Sequence, residues 1–154
     1  MVIKKFVAVK EDPIAYGNIA SNTRVRHFIR SDGTCKCVNC GIVSVYAATY
    51  RHHKELCGRH HDLVCYDGER VSIMTVDHIL PKSLGGANAN SNYRPMCSKC
   101  NSKRGNRLSY QEFVRILENL DKHLRDSDEG KQAFRTYVEQ HYPERMETLN
   151  YILY

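Results

Sequence analysis

Hydrophobic and polar positions follow two different periods along the chain, and the change of period separates a strand-rich first part from a helical last part. Apolar residues at positions 14, 19, 25, 28 and 29 are compatible with a helix over 14–30, which ends at the turn Ser31-Asp32-Gly33. Residues 51–70 show neither period, are rich in His and charge, and are predicted to be irregular. Short runs with β-branched residues predict four strands, over 3–9, 43–50, 71–79 and 92–96.

The last part of the chain has a helical period. A helix is predicted from Cys97 to about Asn106, and Ser109 with Glu112 forms a capping-box pattern ahead of the next one. Further helices are predicted over 128–141 and 144–154, separated by Pro143. The spacing of the apolar residues after this cap predicts one amphipathic helix with Phe113, Ile116, Leu117, Leu120 and Leu124. A core or packing stripe is predicted from Phe113, Ile116, Leu117, Leu120, Phe134, Tyr137 and Val138. We therefore predict one α+β domain over 1–154, with a core at about 35–107 and a helical extension at about 109–154.

Charge is distributed unevenly along the chain. Residues 1–108 carry 17 Lys and Arg against 8 Asp and Glu, whereas residues 109–154 carry 6 against 9. A basic first part favours a polyanionic ligand such as nucleic acid, although charge alone is equally compatible with a basic surface that binds nothing. The sequence has no apolar run of the roughly 20 residues that span a bilayer, and its first residues lack a secretory-signal pattern. We therefore expect a cytoplasmic protein.

Two pairs of cysteines have the spacing of metal ligands. Cys37 and Cys40 flank a tight turn that continues into Gly41, and Cys97 and Cys100 lie one turn apart at the start of a predicted helix. In a reducing compartment such pairs are more often metal ligands than disulfides. The spacing predicts one structural zinc ion held by Cys37, Cys40, Cys97 and Cys100.

The other three cysteines leave two alternatives open. Cys35 could replace Cys37 as a zinc ligand, because Cys35-x-Cys37 is a second usable spacing. Cys57 and Cys65, with His60 or His61, could form a second zinc site. Core cysteines beside surface histidines are the interpretation we favour for this second group.

The densest motif runs from position 75 to position 107, as TVDHILPKSLGGANANSNYRPMCSKCNSKRGNR. Asp77-His78 ends an apolar run, a loop with Pro and Gly follows, Asn92 is isolated, and the second cysteine pair leads directly into Asn101. The order, spacing and chemical type of these residues resemble the HNH endonucleases, over about 35–107 and most closely the phage-encoded members. The resemblance implies a ββα-metal core on a four-cysteine zinc treble clef, followed here by the helical extension. It also implies cleavage of DNA to 5′-phosphate and 3′-hydroxyl ends, in a bacterial or phage-infected cell.

The residue types fit phosphodiester hydrolysis. His78 suits a general base at neutral pH, because histidine as a residue type has a side-chain pKa of about 6.5. Asp77 and the side-chain oxygen of Asn101, at a position that is often His in the family, suit a catalytic Mg²⁺ or Mn²⁺. By resemblance, Asn92 holds the loop that follows His78. Because neighbours on a regular strand point to opposite faces, Asp77 and His78 can share one phosphate only if the backbone departs from that geometry.

Basic residues around the motif are predicted to contact DNA phosphates, which is largely independent of sequence. They are Lys82, Arg94, Lys99, Lys103, Arg104 and Arg107. The helical extension could instead provide a protein interface. The alternative to a nuclease is a non-catalytic zinc treble-clef module that binds nucleic acid or protein. Such a module has no use for Asp77, His78 and Asn101 together, so their joint presence favours the nuclease.

Overall fold

The structure is a computed structural model that describes residues 6–8, 23–49, 60–69 and 71–154. The chain divides into two compact units, and each is described by itself. The first unit comprises residues 1–76 and 95–103, and the second comprises residues 77–94 and 104–154. The single domain predicted from the sequence stays a prediction. Within the described ranges, no helix is long and apolar enough to cross a bilayer.

The strands that the structure describes form one sheet, most of which belongs to the first unit. Its strands lie in the order β1-β3-β4-β5-β6, and β2 pairs with β3 at one side of that path. The pairs β1–β3, β2–β3, β3–β4 and β4–β5 are antiparallel. The strands are β1 (Phe6–Ala8), β2 (Cys35–Lys36), β3 (Val43–Thr49), β4 (His60–Tyr66), β5 (Val71–His78) and β6 (Tyr93–Cys97). The last residues of β5 and the first of β6 belong to the second unit.

The strands predicted at 43–50, 71–79 and 92–96 are confirmed as β3, β5 and β6. The prediction that 51–70 is irregular is wrong for 60–66, which form β4 between β3 and β5. Leu63, Val64 and Cys65 of β4 are consecutive and all buried, so the strand lacks the alternation of apolar and polar residues that would indicate it in the sequence. Packing and pairing with its neighbours stabilise it.

The helix predicted over 14–30 falls largely outside the described residues, and its last part is a 3₁₀ helix, Thr23–Phe28. Val25 of that helix packs with Leu63, Met74 and Met96 in the core of the first unit. Cys65 is fully buried in the same core, which agrees with its interpretation as a core cysteine, and Cys57 lies outside the described residues. Cys35, the alternative zinc ligand, is fully buried there as well.

Helices form most of the second unit. The helix predicted over 128–141 is confirmed, and so is the capping box, in which Ser109 and Glu112 each bond the other's backbone amide. The prediction of one amphipathic helix from Phe113 to Leu124 is wrong, because the backbone leaves the helical conformation at Asn119. The helices of the chain are α1 (Ser98–Arg104), α2 (Tyr110–Glu118), α3 (Leu120–His123), α4 (Asp128–His141) and α5 (Met146–Leu153).

The predicted apolar stripe is the core of the second unit. Phe113, Ile116, Phe134 and Val138 are fully buried and pack around Leu80, at the start of the loop that follows β5. This core attaches the loop to the helical extension.

The loop between β5 and β6 is held against the extension by backbone contacts. The Ala87 amide donates to the His123 carbonyl at 2.9 Å, and the Arg125 amide donates to the Gly85 carbonyl at 2.8 Å. A Cβ at Gly86 would overlap the Leu80 carbonyl, so this turn requires glycine. The helical extension therefore fixes the conformation of the loop that follows His78.

Candidate active site

The structure brings four cysteines of the first unit into one cluster. The Sγ atoms of Cys37, Cys40, Cys97 and Cys100 all lie within 4.8 Å of one another, and those of Cys40 and Cys97 are 3.8 Å apart. Sulfurs at the usual 2.3 Å from a tetrahedral zinc would be about 3.8 Å apart, so the cluster fits such an ion. Cys37, rather than Cys35, contributes its sulfur. No other cluster of this kind lies among the residues that the structure describes, and Cys57 and the side chains of His60 and His61 are outside them.

The thiols of this cluster respond differently to their surroundings. Burial raises the pKa of Cys97 to about 12. Burial acts in the same direction on Cys37, but backbone hydrogen bonds from Cys40, Cys97 and Asn39 outweigh it and lower that pKa to about 7. Four thiolates this close would repel one another strongly unless a cation balanced them, and a bound metal ion could supply that balance.

Asn101 lies in the first unit, on α1, one residue after the last cysteine of the cluster. Its side-chain Nδ2 donates to Thr75 Oγ1 at 2.9 Å and to the Val76 carbonyl at 3.4 Å. Thr75 Oγ1 donates in turn to the Met96 carbonyl at 2.7 Å. The amide nitrogen makes both of these bonds, and neither involves the side-chain oxygen, which is the atom that a hard cation would bind.

Asp77 lies in the second unit at the centre of an ion-pair network. Its side chain is 4% exposed; Oδ2 accepts from Arg94 Nε at 2.8 Å and Oδ1 accepts from Arg104 Nη1 at 3.0 Å. Arg94 also donates from Nη2 to Glu112 Oε1 at 2.9 Å. Two carboxylates and two guanidiniums therefore balance within this unit, which makes the burial of Asp77 tolerable. Arg94 and Arg104, predicted to contact phosphate, have their guanidiniums on Asp77.

His78 is the last residue of β5, and its ring has two neighbours in the second unit. Nε2 lies 2.9 Å from Asn88 Oδ1. The buried Tyr93 ring packs against the imidazole edge to face, with 5.0 Å between centroids and 89° between planes. His78 as a whole residue is partly exposed.

Asn92 is fully buried and bonds the loop that follows His78. Its Oδ1 accepts from the Leu80 amide at 2.9 Å, and its Nδ2 donates to the carbonyls of Leu80 and Ala87, both at 3.0 Å. The Asn92 carbonyl also accepts from the Ile79 amide at 2.8 Å. One side chain thus satisfies three backbone groups of the loop.

Comparison with protein families identifies this part of the chain. Residues 63–115 match the HNH endonuclease family model. The resemblance predicted from the sequence is confirmed over these residues, which we call the HNH segment. It contains Asp77, His78, Asn92 and Asn101, together with the second cysteine pair. No curated protein and no solved structure gives a significant match.

The HNH segment includes β5, β6 and α1, which follow one another as strand, strand and helix. This order agrees with the ββα arrangement that the family indicates. The chain as a whole is a mixed α+β structure with a four-cysteine cluster that could hold a metal. Nuclease activity is the function that the HNH segment indicates, and nucleases of this family use metal ions.

The remaining basic residues predicted to contact DNA are exposed. Lys82 and Arg107 belong to the second unit, and Lys99 and Lys103 belong to the first. Lys99 Nζ lies 3.7 Å from the exposed Asp67 carboxylate, and water and salt weaken such an ion pair.

Sequence reasoning missed three neighbours of the motif residues. Asn88 and Tyr93 contact His78, and Glu112 holds Arg94. Asn88 is one of several Asn residues in the loop, and Tyr93 begins β6; neither has a spacing that indicates a contact with His78. The sequence indicates Glu112 only as part of the helix cap. In the structure its Oε2 accepts from the Ser109 amide, and its other oxygen, Oε1, accepts from Arg94.

Proposed function

We propose that this chain is a metal-dependent HNH endonuclease that hydrolyses DNA phosphodiester bonds by nicking or cutting. The observation that carries the proposal is the match of residues 63–115 to the HNH endonuclease family. The matched segment contains Asp77, His78, Asn92 and Asn101, the residues on which the resemblance to HNH endonucleases rests. A module that only binds has no use for that set.

Zinc in the four-cysteine cluster would be structural. Its ligands come from the turn around Cys40 and from the junction of β6 with α1, so the ion would link two distant parts of the first unit. Asn101 follows Cys100 on α1, so an ion that holds the start of this helix would also help to position the Asn101 side chain. The bonds from Asn101 to Thr75 and Val76 act in the same direction.

Asp77 and Asn101 are the oxygen donors that we propose for Mg²⁺ or Mn²⁺. A carboxylate offers about four lone-pair positions, and the two arginines occupy two of those on Asp77. The residues therefore fit a cation that takes few protein ligands and keeps several waters. The pairing of the two donors rests on their order in the HNH segment, because they belong to different units. A bound divalent ion would supply positive charge to the phosphate as negative charge develops on it.

His78 would accept a proton from the attacking water. Its backbone is fixed by Arg104, which donates to the carbonyls of His78 and Ile79 at 3.2 and 3.0 Å. Asn92 holds the residues that follow. The strand end and loop are therefore preorganised around the imidazole, as a general base requires.

The exposed cations Lys82, Lys99, Lys103 and Arg107 are proposed to bind phosphates of DNA. For Arg94 and Arg104 the geometry supports a different role, because both guanidiniums hold the Asp77 carboxylate. We propose that these two arginines orient Asp77 and reach DNA at most indirectly.

Plasmid cleavage tests this function. Zinc-loaded protein should convert supercoiled DNA to nicked or linear forms with Mg²⁺ or Mn²⁺, and EDTA should stop the reaction. Asn101→Ala should lower the rate by at least about tenfold, whereas Asn106→Ala, which changes an exposed residue after α1, should not. Salt-dependent DNA binding without cleavage of DNA or RNA under any of these conditions would instead support the non-catalytic module.

A further inference from the structure

We propose that Asn88 is a positioning residue that fixes the tautomer of His78, so that Nδ1 is the ring nitrogen that accepts the proton. The catalytic consequence rests on the proposed function. The tautomer itself does not, because it follows from contacts in the protein without DNA.

The tautomer follows from the hydrogen bond between the two side chains. His78 Nε2 lies 2.9 Å from Asn88 Oδ1. A side-chain amide oxygen only accepts hydrogen bonds, so Nε2 must carry the proton that it receives. In a neutral imidazole the other nitrogen then has the lone pair, and Nδ1 becomes the basic atom.

The buried Tyr93 ring restricts the imidazole in a second way. It packs perpendicular to the His78 ring at 5.0 Å between centroids, and its side chain on β6 is itself fixed by burial. Rotation of the imidazole by half a turn about its Cβ–Cγ bond would place the carbon Cε1 where Nε2 lies, and the bond to Asn88 would be lost. The two contacts together therefore select one ring orientation and one tautomer.

The backbone next to Asn88 is held on both sides of one residue. The Ala87 amide donates to the His123 carbonyl at 2.9 Å, and the Ala87 carbonyl accepts from Asn92 Nδ2 at 3.0 Å. Asn88 is exposed, but the residue before it is held at both its amide and its carbonyl. The end of α3 thus acts on His78 through Ala87 and Asn88, which gives the helical extension a part in the site.

The step that this arrangement serves is the attack of water on the phosphodiester. Water gives a proton to His78 Nδ1 while its oxygen bonds to phosphorus. The bond from phosphorus to the 3′ oxygen breaks, and its electron pair stays on that oxygen, which takes a proton from solvent. The Asn88 amide oxygen accepts the hydrogen bond from Nε2–H and so stabilises the positive charge that the ring gains when Nδ1 is protonated.

Nuclear magnetic resonance of the DNA-free protein tests the tautomer directly. Two-bond ¹H–¹⁵N correlations of His78, recorded where the imidazole is neutral, should show a protonated Nε2 in the wild type. Asn88→Ala should shift the ring toward a mixture of tautomers. Asn90→Ala, an exposed Asn of the same loop, should leave the wild-type pattern. A wild type with a protonated Nδ1, or an Asn88→Ala spectrum identical to the wild type, would overturn the proposal.

Kinetics test the catalytic part. Asn88→Ala should lower kcat by about tenfold with little change in KM, because substrate binding does not use this contact. Asn88→Asp keeps an acceptor oxygen and should recover much of the loss. An altered tautomer with unchanged kcat would overturn the catalytic role of Asn88. A wild type that does not cleave would instead contradict the proposed function, while the spectra would still decide whether Asn88 positions His78.

Discussion

Arg104 Nη1 donates to Asp77 Oδ1 across 3.0 Å, and this bond joins the end of α1 to the end of β5 inside the second unit. The same guanidinium donates to the carbonyls of His78 and Ile79. One side chain therefore neutralises a buried acid and caps a strand end. The backbone that carries the proposed base depends on it directly.

Removing Arg104 should destabilise the second unit. Asp77 is 4% exposed and would keep only Arg94 as a charged partner, and losing one member of a buried pair typically costs about 3–5 kcal/mol. We expect Arg104→Ala to lower the free energy of unfolding by about 3 kcal/mol in urea denaturation, and Arg104→Lys to lose less. Arg115→Ala, an exposed change on α2, should cost less than about 0.5 kcal/mol. Equal losses for Arg104→Ala and Arg115→Ala would show that the network contributes little.

Asn92 should matter for stability as well as for the loop. Asn92→Ala leaves the Leu80 amide and two carbonyls without their side-chain partner, and we expect a loss of about 3 kcal/mol. Asn92→Asp keeps the acceptor for the amide but places an oxygen against two carbonyls, so it should be little better. Hydrogen exchange at Leu80 reports the loop locally. Exchange as slow in Asn92→Ala as in the wild type would contradict this description.

Acid should weaken the ion-pair network through Glu112. Burial alone would raise the pKa of Glu112, but hydrogen bonds from the Ser109 amide and Arg94, with the charge of Arg104, lower it below its ordinary 4.5. A group whose pKa is lowered by folding stabilises the protein above its unfolded pKa, and that contribution disappears as the pH falls through the folded value. Wild type should therefore exceed Glu112→Gln in stability at neutral pH, and the difference should shrink as the pH falls below 4.5.

Urea midpoints measured across this pH range check the prediction, with Glu118→Gln as an exposed control on the same helix. A stability difference between wild type and Glu112→Gln that is constant from neutral to acid pH would argue against a stabilising charge at Glu112.

Zinc removal should unfold the first unit. Binding to structural four-ligand sites contributes about 10–16 kcal/mol in small zinc domains, so a chelator strong enough to take the ion should abolish the fold around the cluster. Elemental analysis should find one zinc per chain, and Cys97→Ser should lose it. Cys65→Ala changes a buried cysteine outside the cluster and should retain zinc. Zinc bound equally well by both variants would place the metal elsewhere.

Features set by local spacing could be predicted from the sequence. The capping box at Ser109, the helix over 128–141 and the two Cys-x2-Cys pairs depend on residues within a few positions of one another. Motif order predicted the HNH segment for the same reason. These signals do not require knowledge of how distant parts of the chain meet.

Features set by distant contacts could not be predicted. The sequence of β4 predicts an irregular segment, because the strand begins with His and Asp residues and has only three apolar residues that become buried. Its pairing with β3 and β5, which are distant contacts, determines its structure. The sequence predicts Arg94 and Arg104 as phosphate contacts, because no residue close to them in sequence indicates their ion pairs with Asp77. The bond from Asn88 to His78 spans ten positions of a loop without a periodic pattern.

Conversion of supercoiled plasmid by zinc-loaded wild type and His78→Ala, with Mg²⁺ or Mn²⁺, tests the central claim most directly. We expect metal-dependent cleavage by the wild type and a loss of at least about a hundredfold in the variant, because a general base contributes on this scale. Zinc content and the melting temperature of His78→Ala should match the wild type. Equal cleavage by both proteins, or none by a folded wild type, would contradict the assignment of this chain as a nuclease with His78 as its base.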